Sequence, residues 1–343
     1  MARLPGFLRE IGIPRLLIAA FLAGLFAVAV ATDMNLPILI SDSISRVARN
    51  GILVLALLPA IQGGLGLNFG LPIGIICGLV GCVTALNADI PGVAGLAAAT
   101  GVGVLLAIPA GIAYGWLLNK TRGQEMMVGT YLGFAIVSFM SIFWLAAPFQ
   151  NPSLVWAIGG RGLRTTLSLT GTYDRILDRW LAFEIAGVRI PTGALLVFFG
   201  LCFLVWLFFR TKAGITISAA RSNPRFALAA GISDVRTRIQ ASVLTTVLGA
   251  VGIVVYSQSF GFVQLYTAPL LMAFPVIACI LIGGATVSRA TIGNVIIGTI
   301  LFQSILTIAL PVTSQVIEGD ISETARLIIQ NGMILYALTR ISR

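Results

Sequence analysis

Long apolar runs follow one another along almost the whole chain, and each is about as long as a helix that crosses a membrane. Such a helix needs roughly 20 consecutive apolar residues. Hydrophobic residues make up 58% of the sequence and charged residues only 10%, whereas soluble domains carry about 25% charged residues. Strands of a membrane barrel would instead alternate apolar and polar residues. The sequence therefore predicts an all-α fold, a polytopic transmembrane helical bundle.

The apolar runs predict about ten helices, some of them short or broken, in a single transmembrane domain over residues 1–343. The second, eighth and tenth runs are the short ones. We expect the helices at about 15–31, 47–61, 71–87, 93–118, 127–147, 191–210, 239–257, 268–283, 291–311 and 323–339.

The distribution of charge predicts the side of the membrane on which each loop lies. The formal net charge is +10. With ten helices and a cytoplasmic N-terminus, the loops on the cytoplasmic side hold both lysines and most of the arginines, and the opposite loops hold most of the acidic residues. This agrees with the positive-inside rule. We therefore expect both termini in the cytoplasm, and this topology explains the positive charge without a nucleic-acid partner.

The predicted external loop, residues 148–190, is the longest on its side of the membrane. It contains interfacial segments, glycine breaks at Gly159-Gly160 and Gly171, and a short amphipathic helix around 173–183. Two interpretations stay open for this loop. It packs at the membrane surface, or it docks an external partner.

The predicted cytoplasmic loop, residues 211–238, contains a short helix with its own capping signals. Ser222 or Asn223 can act as the N-cap, and Pro224 suits the first helical position. Gly231 then provides the stop. A helix of about two turns is not stable alone in water. We therefore expect it to pack against another protein surface, and the alternative is a solvated charged loop.

A glycine-rich stretch between Gln62 and Gly74 interrupts one apolar run. Each glycine costs a helix interior about 1 kcal/mol relative to alanine, and a proline such as Pro72 about 3 kcal/mol, so we expect the helix to break here. Broken backbone at membrane depth is tolerated where it is buried in protein or lines a water-filled cavity. Either Gln62 and Asn68 hydrogen-bond a polar solute in its path, or the small residues allow close helix packing. The packing spacing is seen at Gly66, Gly70, Gly74 and Gly78.

The chemistry that the sequence lacks narrows the function. There is no histidine, so the usual Ser-His, Cys-His and His-metal arrangements of an enzyme are missing, and we expect no metal and no cofactor. Neither lysine follows a Gly-x-x-x-x-Gly loop, so the chain has no P-loop of its own. Almost no ionisable side chain is predicted at the centre of a helix, unlike in proton- or sodium-coupled carriers. We therefore expect a transporter of a neutral polar solute that takes its energy from another subunit, or else a passive pore.

Three motifs, taken in order along the chain, resemble those of one known family. Residues 63–70 read Gly-Gly-Leu-Gly-Leu-Asn-Phe-Gly and resemble the family's G-G-I-D-L-S-x-G segment. Asn223-Pro224-Arg225, followed by Ala229-Ala230-Gly231-Ile232, resembles its N-P-x-A-A-x-x-x-G-I loop. Residues 282–286, with Gly293 and Gly298, resemble its late Gly-Gly and glycine-rich helix. The family is that of bacterial inner-membrane permeases in ATP-binding-cassette (ABC) importers for simple sugars, nucleosides and branched-chain amino acids.

The chain departs from the sugar-type pattern of this family at a few positions. Gly66 and Asn68 stand where that pattern has Asp and Ser, and Arg289 stands where many relatives have Gly. The stretch 124–130 resembles the E-x-x-x-T motif of the nucleoside branch. The breadth of the resemblance to this family favours a simple sugar as the solute. A nucleoside or a branched-chain amino acid is the alternative.

The resemblance implies partners and site residues. The permease would lie in the lipid of the bacterial inner membrane and work by alternating access. Its partners would be cytoplasmic ATP-binding subunits, a periplasmic or extracellular solute-binding protein, and a second permease subunit in a homo- or heterodimer. Ala227, Ala229 and Ala230 would let an ATP-binding subunit approach closely, while Arg221 and Arg225 would meet partners at the rim. The expected coupling residues are Arg221, Ser222, Asn223, Pro224, Arg225, Ala229, Ala230, Gly231 and Ile232. The expected substrate-path residues are Gln62, Gly63, Gly64, Asn68, Phe69, Gly70, Gly283 and Gly284.

Overall fold

Helices account for most of the chain. The computed structural model describes residues 13–149, 151–156, 162–316 and 321–339. The helices are α1 (Ile13–Ala31), α2 (Leu36–Leu55), α3 (Leu57–Gln62), α4 (Leu71–Asn87), α5 (Gly92–Lys120), α6 (Glu125–Ala146), α7 (Ile176–Arg179), α8 (Thr192–Arg210), α9 (Lys212–Ser222), α10 (Pro224–Ala229), α11 (Asp234–Phe260), α12 (Ala268–Ile282), α13 (Ile292–Val316) and α14 (Ile321–Thr339). The strands are β1 (Thr166–Ser168), β2 (Phe183–Ile185), β3 (Val188–Ile190) and β4 (Phe262–Gln264).

Each predicted apolar run corresponds to a helix. In the described part of the chain, six spans are long and apolar enough to cross a membrane: α2 continued by α3, then α5, α6, α8, α11 and α13. Four shorter apolar helices complete the set, in α1, α4, α12 and α14. The prediction of an all-α, polytopic helical bundle is therefore confirmed. The predicted positions of the two chain ends lie outside the described residues.

The helices divide into an inner and an outer group. Most of the residues of α2, α4, α11 and α13 are buried by other parts of the chain, whereas α5, α6 and α8 leave large apolar side chains exposed. Leu105 on α5 and Phe139 on α6 are examples, with 70% and 64% of their surface exposed. Apolar side chains can remain exposed on this scale where lipid or another apolar protein surface replaces water.

Contacts between loops define the two ends of the bundle. At one end, which we call the Arg221 end, residues 63–70, 211–233 and 283–291 lie close together. At the other, the strand end, β1 pairs antiparallel with β4, so that Leu167 lies opposite Val263, and β2 and β3 form an antiparallel hairpin. Successive long helices run between these two ends.

The second predicted helix, 47–61, begins eleven residues too late. In the structure α2 begins at Leu36, because the Asn35 side chain accepts a hydrogen bond from the Ile38 amide (3.3 Å) and Pro37 stands in the first turn. The polar residues 41–46, which the sequence places in an external loop, therefore belong to a helix.

The predicted amphipathic helix around 173–183 is also wrong. Only one turn, α7, is helical there, and the β2–β3 hairpin follows it. Arg175 has a left-handed backbone (φ 49°), which prevents an earlier helix start, and Ala186 and Gly187 turn the chain at positive φ. The expected glycine break at Gly159-Gly160 lies outside the described residues.

Candidate functional sites

The Arg221 end brings together three segments that the sequence analysis predicts separately. The Gln62 side-chain amide donates to the Ala290 carbonyl (3.0 Å), which joins the glycine segment to the loop after α12. The Arg221 guanidinium donates to the Ser288 carbonyl (3.1 Å) and so joins α9 to the same loop. A movement of α9 would therefore act directly on the chain around the glycine segment.

The short helix α10 lies beside these contacts and agrees with the capping pattern. The Ala227 amide donates to the Asn223 carbonyl (3.0 Å) at its start. At its end Gly231 has φ +74°, and the Ile232 amide reaches back to the Ala227 carbonyl (2.9 Å), which closes the helix.

One face of α10 is exposed. Arg225, Ala229 and Ala230 are exposed, and so is 65% of the Leu228 side chain. Ala227 is buried in the chain, so it does not contribute to the surface on which we expected three alanines. An exposed apolar residue between small and basic residues makes this face suitable for contact with another protein.

Arg221 also lines two cavities at this end, which we call the Arg221 cavities. They have volumes of about 540 and 550 Å³. Burial lowers the pKa of Arg221 from its ordinary value, and the nearby charge of Arg238 acts in the same direction, but a guanidinium remains charged after such a shift. The first cavity is lined by Gly64, Leu65, Gly66, Gly123, Gln124, Glu125, Met126, Met127, Arg221 and Val287. The second is lined by Gln62, Ser218, Arg221, Ser222, Ser288, Arg289, Ala290 and Thr291.

The helix breaks at the glycine segment, as predicted, but the segment lies at the Arg221 end. Asn68 is buried, and its amide oxygen accepts hydrogen bonds from the Tyr114 hydroxyl (2.7 Å) and the Gly70 amide (2.9 Å). A Cβ at Gly70 would meet the same tyrosine hydroxyl, and a Cβ at Gly63 would meet the Ala241 side chain. These contacts favour the packing interpretation for Gly63, Asn68 and Gly70.

The other predicted path residues differ in what they contact. Gln62 and Gly64 do line cavities, namely the Arg221 cavities. Phe69 packs edge-on against Phe274 of α12, with ring centroids 5.9 Å apart. A Cβ at Gly283 would meet the carbonyl of Asn294, so this glycine lets α12 and α13 approach closely.

Glu125 and Arg238 are charged side chains near helix ends, whereas Arg46 and Arg49 correct the expectation that almost no ionisable side chain would lie at the centre of a helix. The Arg238 side chain on α11 is 9% exposed and donates to a Glu125 carboxylate oxygen at 2.6 Å. Its second guanidinium nitrogen donates to the Gly64 carbonyl (3.2 Å) and fixes the glycine segment. Arg46 and Arg49 lie near the middle of the continuous span formed by α2 and α3. The sequence does not predict this position, because the helix expected at 47–61 leaves Arg46 in a loop and Arg49 beside the start of the helix.

Arg46 and Arg49 line a cavity of about 370 Å³ near the strand end, which we call the arginine cavity. Helices α2, α11, α12, α13 and α14 all contribute to its walls. In the described residues no group of three His, Cys, Asp or Glu side chains could hold a metal ion. The cavity is lined by Arg46, Arg49, Asn50, Leu53, Tyr256, Phe260, Gln264, Ala268, Leu271, Met272, Pro275, Val276, Gln303, Leu306 and Gln330.

Comparison with known proteins gives one match. No curated protein and no solved structure matches the chain. One family model, described as "Branched-chain amino acid transport system / permease component", matches residues 39–338. Apart from the first three residues of α2, this range contains every span from α2 to α13 and both polar ends of the bundle. The chain therefore belongs to this family of permease components of ABC-type transporters.

Proposed function

We propose that this chain is the membrane-spanning subunit of an ABC importer in the bacterial inner membrane, which moves a small polar solute into the cytoplasm by alternating access. It contributes a path with two ends and no covalent chemistry. Its partners would be two cytoplasmic ATP-binding subunits, a solute-binding protein and a second permease subunit. The Arg221 end would face the cytoplasm, as the positive-inside rule requires for its basic loops.

The exposed face of α10 carries this proposal. A helix of six residues has no stability of its own, yet its first backbone bond runs to Asn223, it closes at Gly231, and it presents Leu228 to the outside. An ATP-binding subunit with an apolar groove would cover Leu228, Ala229 and Ala230. Arg225, exposed beside them, would pair with an acidic group at the rim of that groove.

Arg221 supports a route by which movement of α10 would reach the solute path. It lies at the end of α9, one residue before the connection to α10, and its hydrogen bonds run to the loop 283–291. Its guanidinium also approaches Gly64. Movement of the ATP-binding subunits would therefore displace the walls of both Arg221 cavities together. We had expected Arg221 itself to touch the partner, but it is half-buried in contacts within the chain.

The other surfaces suit the remaining partners. At the strand end, Trp180 and Ile185 are exposed beside the hairpin, with 54% and 59% of their surfaces accessible, and a solute-binding protein would dock there. The exposed apolar faces of α5, α6 and α8 would meet lipid or the second permease subunit. A passive pore would have no use for the exposed, capped α10.

A simple sugar is the solute class that the motifs favour, and a nucleoside or a branched-chain amino acid is the alternative. A neutral solute was expected because almost no charged side chain was predicted at the centre of a helix. Arg46 and Arg49 remove that support. A simple sugar, a nucleoside and a branched-chain amino acid all carry no net charge, so the net charge of the solute is the property to test next.

The test is co-purification of the permease with its ATP-binding subunits. Ala229→Glu places a charge on the exposed face of α10 and should weaken assembly by about 2 kcal/mol or more, as expected for loss of an interface anchor. The matched control is Ala186→Glu, an exposed alanine in the hairpin turn at the opposite end. We expect Ala229→Glu to lose both the ATP-binding subunits and solute-stimulated ATP hydrolysis, while Ala186→Glu keeps the subunits. Full retention of both by Ala229→Glu would disprove coupling through α10.

A further inference from the structure

We propose that the arginine cavity binds the anionic group of the transported solute, so that the solute carries a net negative charge as a carboxylate or a phosphate. This inference rests on the proposed function of the chain as an importer permease. It replaces the neutral solute expected from the sequence with a sugar acid or another organic acid.

The two arginines are held close together without a carboxylate partner. Arg46 and Arg49 are three residues apart on α2, so they lie on the same face of the helix, and their positive charges repel each other. In the described part of the chain neither guanidinium forms an ion pair with an acidic side chain. The Arg49 guanidinium instead lies over the Phe260 ring, 5.5 Å from its centroid. Two unneutralised guanidinium groups within a span are costly, and an anion between them would offset that cost.

The nearby acids do not occupy the cavity. Asp42 and Asp178 are the carboxylates whose charges act on Arg49, and neither belongs to the cavity lining. Asp178, on α7, accepts hydrogen bonds from the Gln258 amide (3.1 Å) and the Ser259 hydroxyl (2.9 Å) of α11. These bonds hold its carboxylate against α11. Among the described residues, the lining therefore carries positive charge and no negative charge. Its described residues offer no carboxylate to the ammonium group of an amino acid, which argues against a zwitterion.

Neutral polar groups complete the cavity with the donors that an acid needs. The Gln303 side chain is 95% buried in the described structure, with only 5% exposed, and its amide nitrogen has just a 3.9 Å contact with the Cys279 sulfur. Gln264 and Tyr256 also line the cavity. Amide and hydroxyl groups of this kind suit the hydroxyls of a sugar acid, while the forked guanidinium donors suit its carboxylate.

The position of the cavity agrees with a solute entering from outside. It lies near the strand end, where β4 and the end of α11 form part of its wall. A solute released by a binding protein at the strand end would reach Arg46 and Arg49 before it met the Arg221 end. An anionic lipid headgroup carries the same chemistry, so the experiment must separate a dissolved acid from a lipid.

The experiment uses the full-length permease in lipid nanodiscs and measures its melting temperature with matched pairs of compounds. The pairs are glucose with gluconate and leucine with 4-methyl-2-oxopentanoate, which differ in net charge. In discs of phosphatidylcholine alone, we expect at least one acid to raise the melting temperature at concentrations at least about tenfold lower than its partner. The variants are Arg46→Gln, Arg49→Gln and Arg49→Lys, with Arg189→Gln as the control, because Arg189 is exposed at the strand end.

Loss of the preference in Arg46→Gln and Arg49→Gln, with retention in Arg189→Gln, is the expected result. Arg49→Lys should keep part of it, because the charge remains while the forked geometry is lost. Equal responses to both members of each pair, including no response to either, would overturn the proposal. So would survival of the preference in both Gln variants.

A second arm uses discs that contain phosphatidylglycerol. If that lipid alone raises the melting temperature, the Gln variants lose this effect, and the acids add nothing, the cavity holds a headgroup and the solute proposal fails. Co-purification with the ATP-binding subunits is unaffected by any of these outcomes. A permease that assembles with them but prefers glucose would keep the proposed function and lose this inference.

Discussion

At the scale of single residues, Asn68 shows how a residue expected to meet a solute can instead hold the fold together. Its amide oxygen accepts hydrogen bonds from Tyr114 and Gly70 inside the protein. Tyr114→Phe removes one of these bonds and little else, so we expect a loss of stability of about 1 kcal/mol. Asn68→Ala leaves the tyrosine hydroxyl without its partner and should cost more, about 1–3 kcal/mol.

Melting temperatures of the two purified variants test this prediction, and uptake assays with several solutes accompany them. We expect lower melting temperatures and an unchanged order of solute preference. A changed order of solute preference in Asn68→Ala, at unchanged melting temperature, would show that Asn68 lines the solute path.

The two ion pairs at the Arg221 end should differ strongly in their contribution to stability. Glu125→Ala leaves the nearly buried Arg238 guanidinium without its carboxylate, which should destabilise the protein by about 3–5 kcal/mol. Arg122→Ala breaks the pair with Asp234, in which the Arg122 side chain is 50% exposed, and should cost less than about 1 kcal/mol. The melting temperatures of the two variants provide the comparison. Similar values would show that Arg238 finds other partners when Glu125 is lost.

At the scale of elements, apolar run length predicted where helices exist, and local chemistry decided where they begin and turn. Composition alone predicts helices at 71–87 and 191–210, and the structure has them at Leu71–Asn87 and Thr192–Arg210, because a run of that apolarity has few other stable states in a membrane. The start of α2 depends instead on Asn35, whose side chain caps the helix and so lets the polar residues that follow be helical. The hairpin depended on a left-handed Ala186, for which the sequence has no signal because alanine rarely adopts that conformation.

The stop of α10 gives a prediction at this scale. Gly231 has φ +74°, and a Cβ there would meet nothing within 4 Å, so the constraint is conformational and not one of space. Gly231→Val should therefore strain the backbone by about 1–2 kcal/mol and loosen the helix end, while Gly231→Asn should be tolerated, because Asn visits this conformation more readily. Co-purification of the ATP-binding subunits should fall for Val and be retained for Asn. Equal retention by both would show that the end of α10 has no role in assembly.

At the scale of the whole molecule, the sequence predicted each segment of the Arg221 end but not that these segments lie close together in the fold. Each motif there is continuous in sequence, so its local chemistry could be read directly. The arginine cavity has walls from five helices, and its residues run from Arg46 to Gln330. No local pattern marks such a site, since tertiary packing alone brings its side chains together.

The orientation of the molecule in the membrane can be tested with single cysteines. The native cysteines Cys77, Cys82, Cys202 and Cys279 are all buried, and they would be replaced first. We expect Ser222→Cys to be protected from an impermeant thiol reagent in intact cells and to react after lysis. Ala186→Cys, at the strand end, should react in intact cells. The reverse pattern would invert the topology and place α10 on the wrong side for an ATP-binding subunit.

Two apolar helices, α4 and α12, are too short to cross a bilayer unaided. With 17 and 15 residues, α4 and α12 are about 25 and 22 Å long, against roughly 30 Å of hydrocarbon. The non-helical segments 63–70 and 283–291 beside them therefore reach into the depth of the membrane, next to the Arg221 cavities. If water fills the cavities at both ends, the membrane voltage falls across the thin layer between them. An anion entering a cell with a negative interior works against about 2.3 kcal/mol per charge at 100 mV, and its uptake would slow as that voltage rises.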